Sequence, residues 1–532
     1  MYKTLKLLIL KHKIGLVYTF GIIIVAAMLA PFAVSLLSSI FENSSNFGTA
    51  NFVKSILFFI FIFLLSNISE EYVDYQKRKM IQILQIDLRL NITDKLVHGE
   101  YGRVKAIHSG DWLYYQTLAD EAVFSYFYPI FNASSFIVTI LSASYCIIKI
   151  DKLLFFYIFI SIVVWVLLEK FILKNSKNTF EVVLRSKKQI SRYVSQVLEA
   201  KNDIVSWSKE KSTELKMFRY HQILKEKLIR KSAFVNIREQ GDRIVFIAII
   251  VLTILIGKNK GYEENKIIAL YLYINLLYGS VTKINTVLQD CLEVNVKFEE
   301  LNMVTDINIE SVYNLTEISE ELVLDNIGVK IADKQILEGI NLKMKKGECV
   351  AICGNSGGGK STLLNSIAGF IEIEGSIIWN GENIVIDGKS RLMPLISLLP
   401  QENKLFEGTA LENICLSNCK YEEDKLLKAI ELSGLNKEFP SIDVIKNFKI
   451  SEKGSNLSGG QIQRLCLARV IYDDCPIILL DEPTYALDKD TASDIISAIN
   501  SIKKEKFILL STHDAGVKQI SDKEIYIDRN SD

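Results

Sequence analysis

The amino-acid sequence predicts a chain of two parts, an all-α membrane domain with six spanning helices followed by an α/β domain. Hydrophobic residues make up 49% of the 532 residues, and the mean hydropathy is +0.21. The apolar excess lies before residue 295, whereas a glycine-rich segment and two short runs typical of buried strands lie after it. We therefore expect a transmembrane domain over residues 1–295, a linker over 296–320 and the α/β domain over 321–532.

Six apolar stretches in the first part are candidates to cross a bilayer, which requires about 20 apolar residues. They cover about 14–41, 52–74, 122–148, 153–174, 243–258 and 266–291, and the second and fifth are short. The first stretch follows several lysines, as a signal peptide does. It is too long for a signal peptide and has no cleavage site of the A-x-A type, so we expect a retained helix.

Basic residues are distributed unevenly among the segments that join these stretches. The segment from Glu42 to Asn51 has no Lys or Arg, whereas the N-terminus and the stretches 75–121 and 175–242 are rich in both. Because Lys and Arg favour the cytoplasmic side, we expect these stretches and the α/β domain in the cytosol, and the chain in the plasma membrane. The outer loops 149–152 and 258–266 also carry lysines, so the charge bias is moderate.

The two long polar stretches are rich in Lys, Glu, Gln and Leu and helical in character. At 1.5 Å per residue they would carry the spanning helices tens of ångströms into the cytosol. Over the whole chain, 62 acidic residues balance 62 basic residues, so no net field attracts nucleic acid. Cys415 and Cys419 are too few for a zinc cluster, and the eight cysteines form no framework of extracellular pairs.

Residues Gly354 to Thr362 read GNSGGGKST, which is the spacing of a phosphate-binding loop of the P-loop NTPase type. Its glycines allow a tight turn whose backbone N–H groups surround phosphate oxygens, and the following helix adds the positive end of its dipole. Lys360 would place its charge on the β and γ phosphates, and Ser361 would offer a hydroxyl to Mg²⁺. The expected ATP-binding residues are Gly354, Asn355, Ser356, Gly357, Gly358, Gly359, Lys360, Ser361 and Thr362.

Two apolar runs, Pro476 to Leu480 and Phe507 to Leu510, are typical of buried parallel strands. Asp481 and Glu482 follow the first run, at the end of the strand where doubly wound sheets bind ligands. Asp481 suits the Mg²⁺ shell, and Glu482 suits a general base that polarises the attacking water. His513 follows the second run and can face the γ-phosphate as a sensor.

Residues Leu457 to Gln461 read LSGGQ, and they come between the phosphate-binding loop and the motifs LLDEP (479–483) and STHD (511–514). With these four motifs in this order, the region of roughly 320–532 resembles the ATP-binding cassette (ABC) transporters. The resemblance implies that Ser458, Gly459, Gly460 and Gln461 contact the ATP held by a partner cassette. It also implies a helical subdomain around this signature, and a requirement for two cassettes.

Two further loops match the ABC pattern. Gln401, in SLLPQ, matches the loop that touches Mg²⁺ and hinges toward the membrane domain, and Ala486-Leu487-Asp488 matches the D-loop, although Tyr485 stands where Ser is commoner. The resemblance thus implies a catalytic set of Glu482, His513 and Gln401, and a Mg²⁺ set of Ser361, Gln401 and Asp481.

Three segments are similar to parts of ABC exporters. The stretches from His98 to Asp120 and from Ser191 to Phe218 resemble the two coupling loops, and Ser451 to Gly454 resembles the short loop that senses the opposite coupling helix. The sequence is therefore interpreted as an exporter-type half-transporter that works as a dimer by alternating access. A homodimer is favoured over a heterodimer because all the catalytic motifs are intact.

The cargo is poorly specified by the sequence. Polar residues inside spans usually face a bundle interior or a wet cavity, and interhelical packing is the alternative. The third and sixth spans contain Tyr126, Tyr128, Asn132, Ser134, Ser135, Tyr271, Tyr273, Asn275, Tyr278, Asn285 and Asp290. An aromatic cavity without a strong charge bias would suit a peptide, a lipid-like molecule or an amphipathic drug.

Other functions remain open at this point. An importer with an exporter-like shape is compatible with every motif, and so is a membrane regulator gated by ATP, although the intact Glu482 argues against the latter. A binding-protein-dependent importer normally keeps its ATPase on a separate chain. A soluble cassette would lack the spans.

One position departs from the exporter pattern. Such proteins usually carry an aromatic residue, most often Tyr, about two dozen residues before the phosphate-binding loop, where its ring stacks on adenine. In this chain Ile331 falls at that position. An aliphatic side chain still covers the base but offers no π face, so we expect weaker discrimination among bases.

Overall fold

The computed structural model describes residues 3–42, 49–173, 176–309, 315, 319–331, 334–355, 357–416, 420–485 and 487–527. The chain divides into two compact units, residues 1–310 and residues 311–532. These are called the helical unit and the cassette unit below.

The helical unit is built from α-helices in the part that the structure describes. They are α1 (Lys3–Lys11), α2 (Lys13–Ala27), α3 (Leu29–Glu42), α4 (Thr49–His98), α5 (Tyr101–Lys105), α6 (Ser109–Ile150), α7 (Lys152–Leu173), α8 (Ser176–Glu199), α9 (Lys201–Ser206), α10 (Glu210–Asn259) and α11 (Glu264–Thr305). Since α11 continues to Thr305, the first ten residues of the expected linker are helical.

Among the residues that the structure describes, five helical segments are long and apolar enough to cross a membrane. They are Lys13–Ile40, Phe52–His98, Ser109–Ile150, Glu210–Asn259 and Lys266–Ile284, and they fall on the predicted first, second, third, fifth and sixth spans. The predicted fourth span falls on α7, in which the described side chains include a shorter apolar stretch, Lys152–Val164. The count of six spanning helices therefore stays a prediction.

The helices α4 and α10 are much longer than a bilayer is thick. Each has 50 residues, which corresponds to about 75 Å at 1.5 Å per residue, whereas the hydrocarbon core spans about 30 Å. The prediction that spanning helices continue far beyond the membrane is therefore confirmed.

Large apolar side chains lie on the outside of these helices. Val25 is 69% exposed, Phe61 is 60% exposed and Ile244 is 66% exposed. Such a surface would be unfavourable in water, and it is what a lipid-facing surface requires. The chain is thus a multi-pass membrane protein.

Ion pairs tie the helices of this unit together away from the apolar stretches. Arg192 on α8 makes two hydrogen bonds of 2.6 Å to the Asp111 carboxylate on α6, and Lys188 on α8 donates to Glu300 on α11 over 2.5 Å. Because the Asp111 side chain is only 3% exposed, losing its partner would leave a buried charge, which destabilises a fold by about 3–5 kcal/mol.

The cassette unit contains two main β-sheets. Its strands are β1 (Glu321–Ile331), β2 (Lys334–Lys345), β3 (Cys349–Cys353), β4 (Glu374–Trp379), β5 (Glu382–Asn383), β6 (Val385–Ile386), β7 (Lys389–Ser390), β8 (Ile396–Leu399), β9 (Gly408–Thr409), β10 (Lys449–Ile450), β11 (Ile477–Asp481), β12 (Phe507–Ser511) and β13 (Lys523–Tyr526). The central sheet is parallel with the order β13-β3-β12-β11-β8, and an antiparallel sheet has the order β2-β1-β4-β5.

Helices flank these sheets. They are α12 (Lys360–Ile367), α13 (Ala410–Cys415), α14 (Glu423–Leu432), α15 (Ile442–Asn447), α16 (Gly459–Asp473), α17 (Lys489–Ile502) and α18 (Ala515–Gln519). All five residues of β11 and all five of β12 are buried, which confirms that the two apolar runs form core strands. The parallel arrangement brings the ends of β3, β8, β11 and β12 to one edge, and the candidate site lies there.

Candidate functional site

The phosphate-binding loop follows β3 directly, and three of its glycines, Gly354, Gly357 and Gly359, have positive φ. Gly354 has φ +147°, and a Cβ there would lie 2.0 Å from the carbonyl oxygen of Ile527. Gly359 has φ +103°, and a Cβ there would lie 2.8 Å from Cδ2 of Leu337. The loop then leads into α12 at Lys360, so the positive end of that helix faces the loop, as the motif predicts. Ser356 lies outside the described residues.

Lys360 holds the centre of the loop. The residue is 5% exposed, and its Nζ donates to the carbonyl oxygens of Gly354 (3.0 Å) and Asn355 (3.1 Å). The same Nζ lies 2.8 Å from Nε2 of His513. An ammonium group has only donors, so Nε2 accepts and the imidazole carries its proton on Nδ1. A phosphate bound in the loop would compete for these ammonium protons.

Glu482 occupies a strained position at the end of β11. Its φ is +50°, a left-handed conformation that costs a non-glycine residue about 1–3 kcal/mol. Two hydrogen bonds hold it, since its N–H donates to the carbonyl oxygen of Ser511 (3.2 Å) and to Oγ of Ser511 (2.9 Å). The Ser511 hydroxyl in turn donates to Oδ1 of Asp481 over 2.5 Å. One serine on β12 thus positions both acidic residues.

The side chain of Glu482 is oriented by its neighbours at this edge. Nε2 of Gln401 donates to Oε2 of Glu482 over 3.1 Å, and Oε1 of Glu482 lies 3.7 Å from Nε2 of His513. Gln401, Glu482, His513 and Lys360 therefore form one continuous cluster. The structure brings together the predicted catalytic set and the lysine of the phosphate-binding loop.

The chemistry at this edge fits Mg²⁺, which prefers oxygen ligands and keeps several of them from phosphate and water. Asp481 is 7% exposed, and only one of its carboxylate oxygens has a described protein partner, the Ser511 hydroxyl. The other oxygen is available to a cation. Asp481, Ser361 and Gln401 would hold the ion, which would neutralise charge on the β and γ phosphates.

The signature residues form the start of α16. Ser458 caps this helix, because its Oγ accepts from N–H of Gln461 (3.3 Å) while Oε1 of Gln461 accepts from N–H of Ser458 (3.0 Å). Gly459 is exposed, and a Cβ there would meet nothing within 4 Å. None of the described contacts of Ser458 or Gln461 reaches the phosphate-binding loop of the same chain, so this surface is available to another molecule.

Two of the three D-loop residues, Leu487 and Asp488, are described, and Ala486 lies outside the described residues. Asp488 caps α17 by accepting from N–H (2.9 Å) and Oγ1 (2.8 Å) of Thr491. These two hydrogen bonds, the backbone one foremost, lower the pKa of the Asp488 carboxyl. Tyr485 is 66% exposed, and nothing in the structure explains why Tyr stands at this position.

One residue at the site was missed by the sequence analysis. Gln463 on α16 is 7% exposed; its Nε2 donates to the carbonyl oxygen of Pro483 over 2.7 Å, and its Oε1 accepts from Nδ2 of Asn403. It thereby joins the signature helix to the segment after Glu482 and to the segment after Gln401. The signal was a glutamine that shares a helix face with the buried residues Cys466, Leu467 and Val470.

We expect Gln463→Leu to lower kcat for ATP about 5- to 100-fold with a smaller change in KM. The substitution removes the partner of the buried Pro483 carbonyl and of the half-buried Asn403 amide. An unsatisfied buried polar group costs about 1–3 kcal/mol, and a rise of this order in the barrier, about 1–2.7 kcal/mol, corresponds to about 5- to 100-fold in rate. Steady-state ATPase kinetics and the Kd of a fluorescent ATP analogue measure the two effects. Gln519→Leu, at an exposed position, is the control. A wild-type kcat in Gln463→Leu would exclude a positioning role.

Comparison with known proteins agrees with this geometry. Residues 337–485 match the ABC transporter family model. A Staphylococcus aureus protein, named as a multidrug export ATP-binding/permease protein, is 35% identical over 208 residues, which are 38% of this chain and 36% of that protein. A leukotoxin export ATP-binding protein of Aggregatibacter actinomycetemcomitans is 28% identical over 305 residues, which are 55% of this chain and 43% of that protein. The alignments span about two fifths of the length of these relatives.

A solved structure, that of a bacterial Atm1-family ABC exporter with ATP bound, matches nearly the whole chain. The TM-score is 0.84 at 18% sequence identity, and the match covers 98% of this chain and 94% of that chain. At this identity the match establishes the fold, which includes both the helical unit and the cassette unit.

Proposed function

We propose that this chain, an ABC transporter of the exporter type, hydrolyses ATP to move a substrate outward across the plasma membrane by alternating access. One observation carries the proposal, namely the cluster in which Gln401 and His513 lie beside the Glu482 carboxylate and His513 in turn contacts Lys360. Glu482 has a strained backbone conformation that hydrogen bonds from neighbouring residues maintain. Such a position is expected for a catalytic base, whereas nucleotide binding alone would not require it.

The hydrolysis step follows from the positions of these side chains. Lys360 binds the β and γ phosphates, and the amide of Gln401 orients the Glu482 carboxylate. Glu482 accepts a proton from a water molecule as its oxygen attacks the γ-phosphorus. The bond from that phosphorus to the bridging oxygen of ADP then breaks, the electron pair stays on that oxygen, and Lys360, which lies beside His513, keeps its hydrogen bond to the departing phosphate.

Two copies of the chain would form the functional unit, with the signature of one copy closing over the ATP of the other. The free surface at Ser458 and Gly459 supports this arrangement, and a homodimer is the simpler choice because every catalytic residue is present. A photo-crosslinking side chain fits at Gly459 without a clash in its own chain.

Crosslinking from that position tests the dimer. In a mixture of two differently tagged copies carrying Glu482→Gln, ATP should raise the yield of crosslinks between tags, with the attachment near residues 354–362. Crosslinks confined to one chain, or a yield that ATP does not change, would reject the composite site.

The helical unit supports a transport role through its long helices and its turns. Exposed apolar side chains lie in the first turns of α6 and directly after α9, where Leu113 is 70% exposed and Trp207 is 72% exposed. Trp112, in contrast, is buried. We propose that Leu113 and Trp207 belong to the coupling loops that the sequence predicts.

Two alternatives are separated by vesicle experiments. An importer of the same shape would accumulate substrate in right-side-out vesicles, and an ATP-gated regulator would hydrolyse ATP without net substrate movement. The proposal requires ATP-dependent uptake into inside-out vesicles.

The nature of residue 331 gives a further prediction about ATP. Ile331 ends β1 and is 45% exposed, so a larger side chain can be accommodated there. We expect Ile331→Tyr to lower KM for ATP and to raise the preference for ATP over GTP, by up to the roughly 1–3 kcal/mol that stacking on a base provides. Ile331→Val is the control. Unchanged KM and unchanged base preference in Ile331→Tyr would show that the side chain does not cover adenine.

A further inference from the structure

A cavity of about 480 Å³ lies within the helical unit, between helices that come from distant parts of the chain. Its volume is in the range of sites for small organic molecules. One wall is apolar and comes from α2 and the start of α3, with Ile23, Ala26, Ala27 and Ala30. The opposite wall is polar and comes mainly from α4 and α6. The cavity is therefore amphipathic.

The polar wall follows one face of α4. Ser66, Glu70, Asp74 and Lys77 line the cavity and recur at intervals of three or four residues, so they share a face. Lys77 is 6% exposed, and its Nζ donates to Oδ1 of Asp74 (3.1 Å) and to Oδ1 of Asn132 on α6 (2.8 Å). The charges of Asp74 and Lys77 thus neutralise each other.

Two further carboxylates set the charge of the cavity. Glu70 and Glu71 line it, and none of the described hydrogen bonds or ion pairs involves either side chain. Lys283 of α11 also lines the cavity, with its Nζ 5.2 Å from the centre of the Phe136 ring. The carboxylates outnumber the ammonium groups among the lining residues, so the cavity favours a positive guest.

The cavity lies toward the cytosolic end of the spanning helices. Lys283 lies about 28 Å from the start of α11, and Asn132 lies about 27 Å from the end of α6, at 1.5 Å per residue. Both helix ends adjoin the loops expected on the outer side, and the hydrocarbon core is about 30 Å thick. The lining residues therefore lie near the expected inner boundary of the core, and Glu70 and Glu71 are exposed, so a charged guest can reach them without crossing the hydrocarbon region.

We propose that this cavity binds an amphipathic molecule that carries a protonated or quaternary amine. The amine would lie beside Glu70 and Glu71, and the apolar part would pack against the alanine-rich wall of α2 and α3. The inference rests on the proposed transport function, since it names the substrate class. It differs from the sequence-based expectation of a cavity without charge bias.

Of the residues expected from the third and sixth spans, some line the cavity, some pack against other helices, and Tyr271 and Asn275 are exposed. Tyr128, Asn132 and Ser135 line the cavity. Tyr126 packs edge-on against Phe298, and Tyr278 stacks on Phe246 with ring centres 4.1 Å apart. The side chains of Asn285 and Asp290 lie outside the described residues.

Binding to the full-length protein in lipid nanodiscs tests the proposal. Three dansyl-labelled probes share one alkyl chain and end in an amine, an alcohol or a carboxylate. We expect the amine probe to bind at least tenfold more tightly than the other two. Glu70→Gln combined with Glu71→Gln should remove most of this preference, while the alcohol probe keeps its affinity.

The control is Asp94→Asn, which removes an exposed carboxylate from the same helix and should keep the preference for the amine. Equal binding of the three probes to the wild-type protein would overturn the proposal without the need for any variant, and so would a preference that survives in the double variant. An amine preference without ATP-dependent uptake would preserve the cavity and reject transport, whereas uptake without that preference would reject only the cavity.

Discussion

Replacing Glu482 with Gln is expected to lower the rate of ATP hydrolysis about 10²- to 10⁴-fold, the contribution usual for a positioned base, while ATP binding remains. The amide keeps the size of the side chain and its contact with Gln401, but it cannot accept the proton from the attacking water. In the proposed dimer, hydrolysis releases the closed state, so ATP should trap two copies of this variant together. Phosphate release and the Kd of a fluorescent ATP analogue measure the two effects.

The control for this substitution is Glu382→Gln, which changes an exposed glutamate of the cassette unit and should have wild-type kinetics. Turnover close to that of the wild type in Glu482→Gln would remove Glu482 from the mechanism. Loss of ATP binding together with hydrolysis would assign it a structural role.

Replacing Lys360 with Ala is expected to weaken ATP binding at least tenfold and to lower the rate as well. Hydrogen bonds to charged groups contribute about 1.5–3 kcal/mol each, and 1.4 kcal/mol is tenfold in Kd. The substitution also removes the group that holds the carbonyl oxygens of Gly354 and Asn355. Equilibrium binding of the fluorescent analogue measures the affinity.

Lys428→Ala, on the exposed face of α14, is the matched control for the loss of a lysine charge. The two active-site variants separate binding from chemistry, since Glu482→Gln should keep its affinity for ATP and Lys360→Ala should bind ATP at least tenfold more weakly. Normal ATP affinity in Lys360→Ala would contradict the assignment of the phosphate-binding loop.

The positions of the acidic residues at the edge of the central sheet could be predicted from the sequence, because they depend on a short stretch of neighbouring residues. A buried parallel strand must end at the edge of the sheet, so Asp481 and Glu482 could be placed there from the apolar run alone. The hydrogen bonds that hold these residues in place, in contrast, are tertiary contacts. The hydrogen bonds of Ser511 and Gln463 join segments that are 20 or more residues apart, and no motif spacing encodes them.

The membrane part was harder to predict for a physical reason. The sequence draws attention to tyrosines and amides inside the third and sixth spans. The charged face of α4 begins where the apolar stretch of the second span is ending, so Glu70 and Lys77 resemble the start of a solvated helix. Only the packing of α2, α6 and α11 around α4 turns that face toward a cavity.

Uptake of the amine probe into inside-out vesicles is the measurement that tests the central claim, which is that ATP hydrolysis in the cassette drives outward transport. We expect accumulation with wild-type protein in the presence of ATP, and none with Glu482→Gln or without ATP. Accumulation that is equal in Glu482→Gln, or that occurs only in right-side-out vesicles, would contradict it.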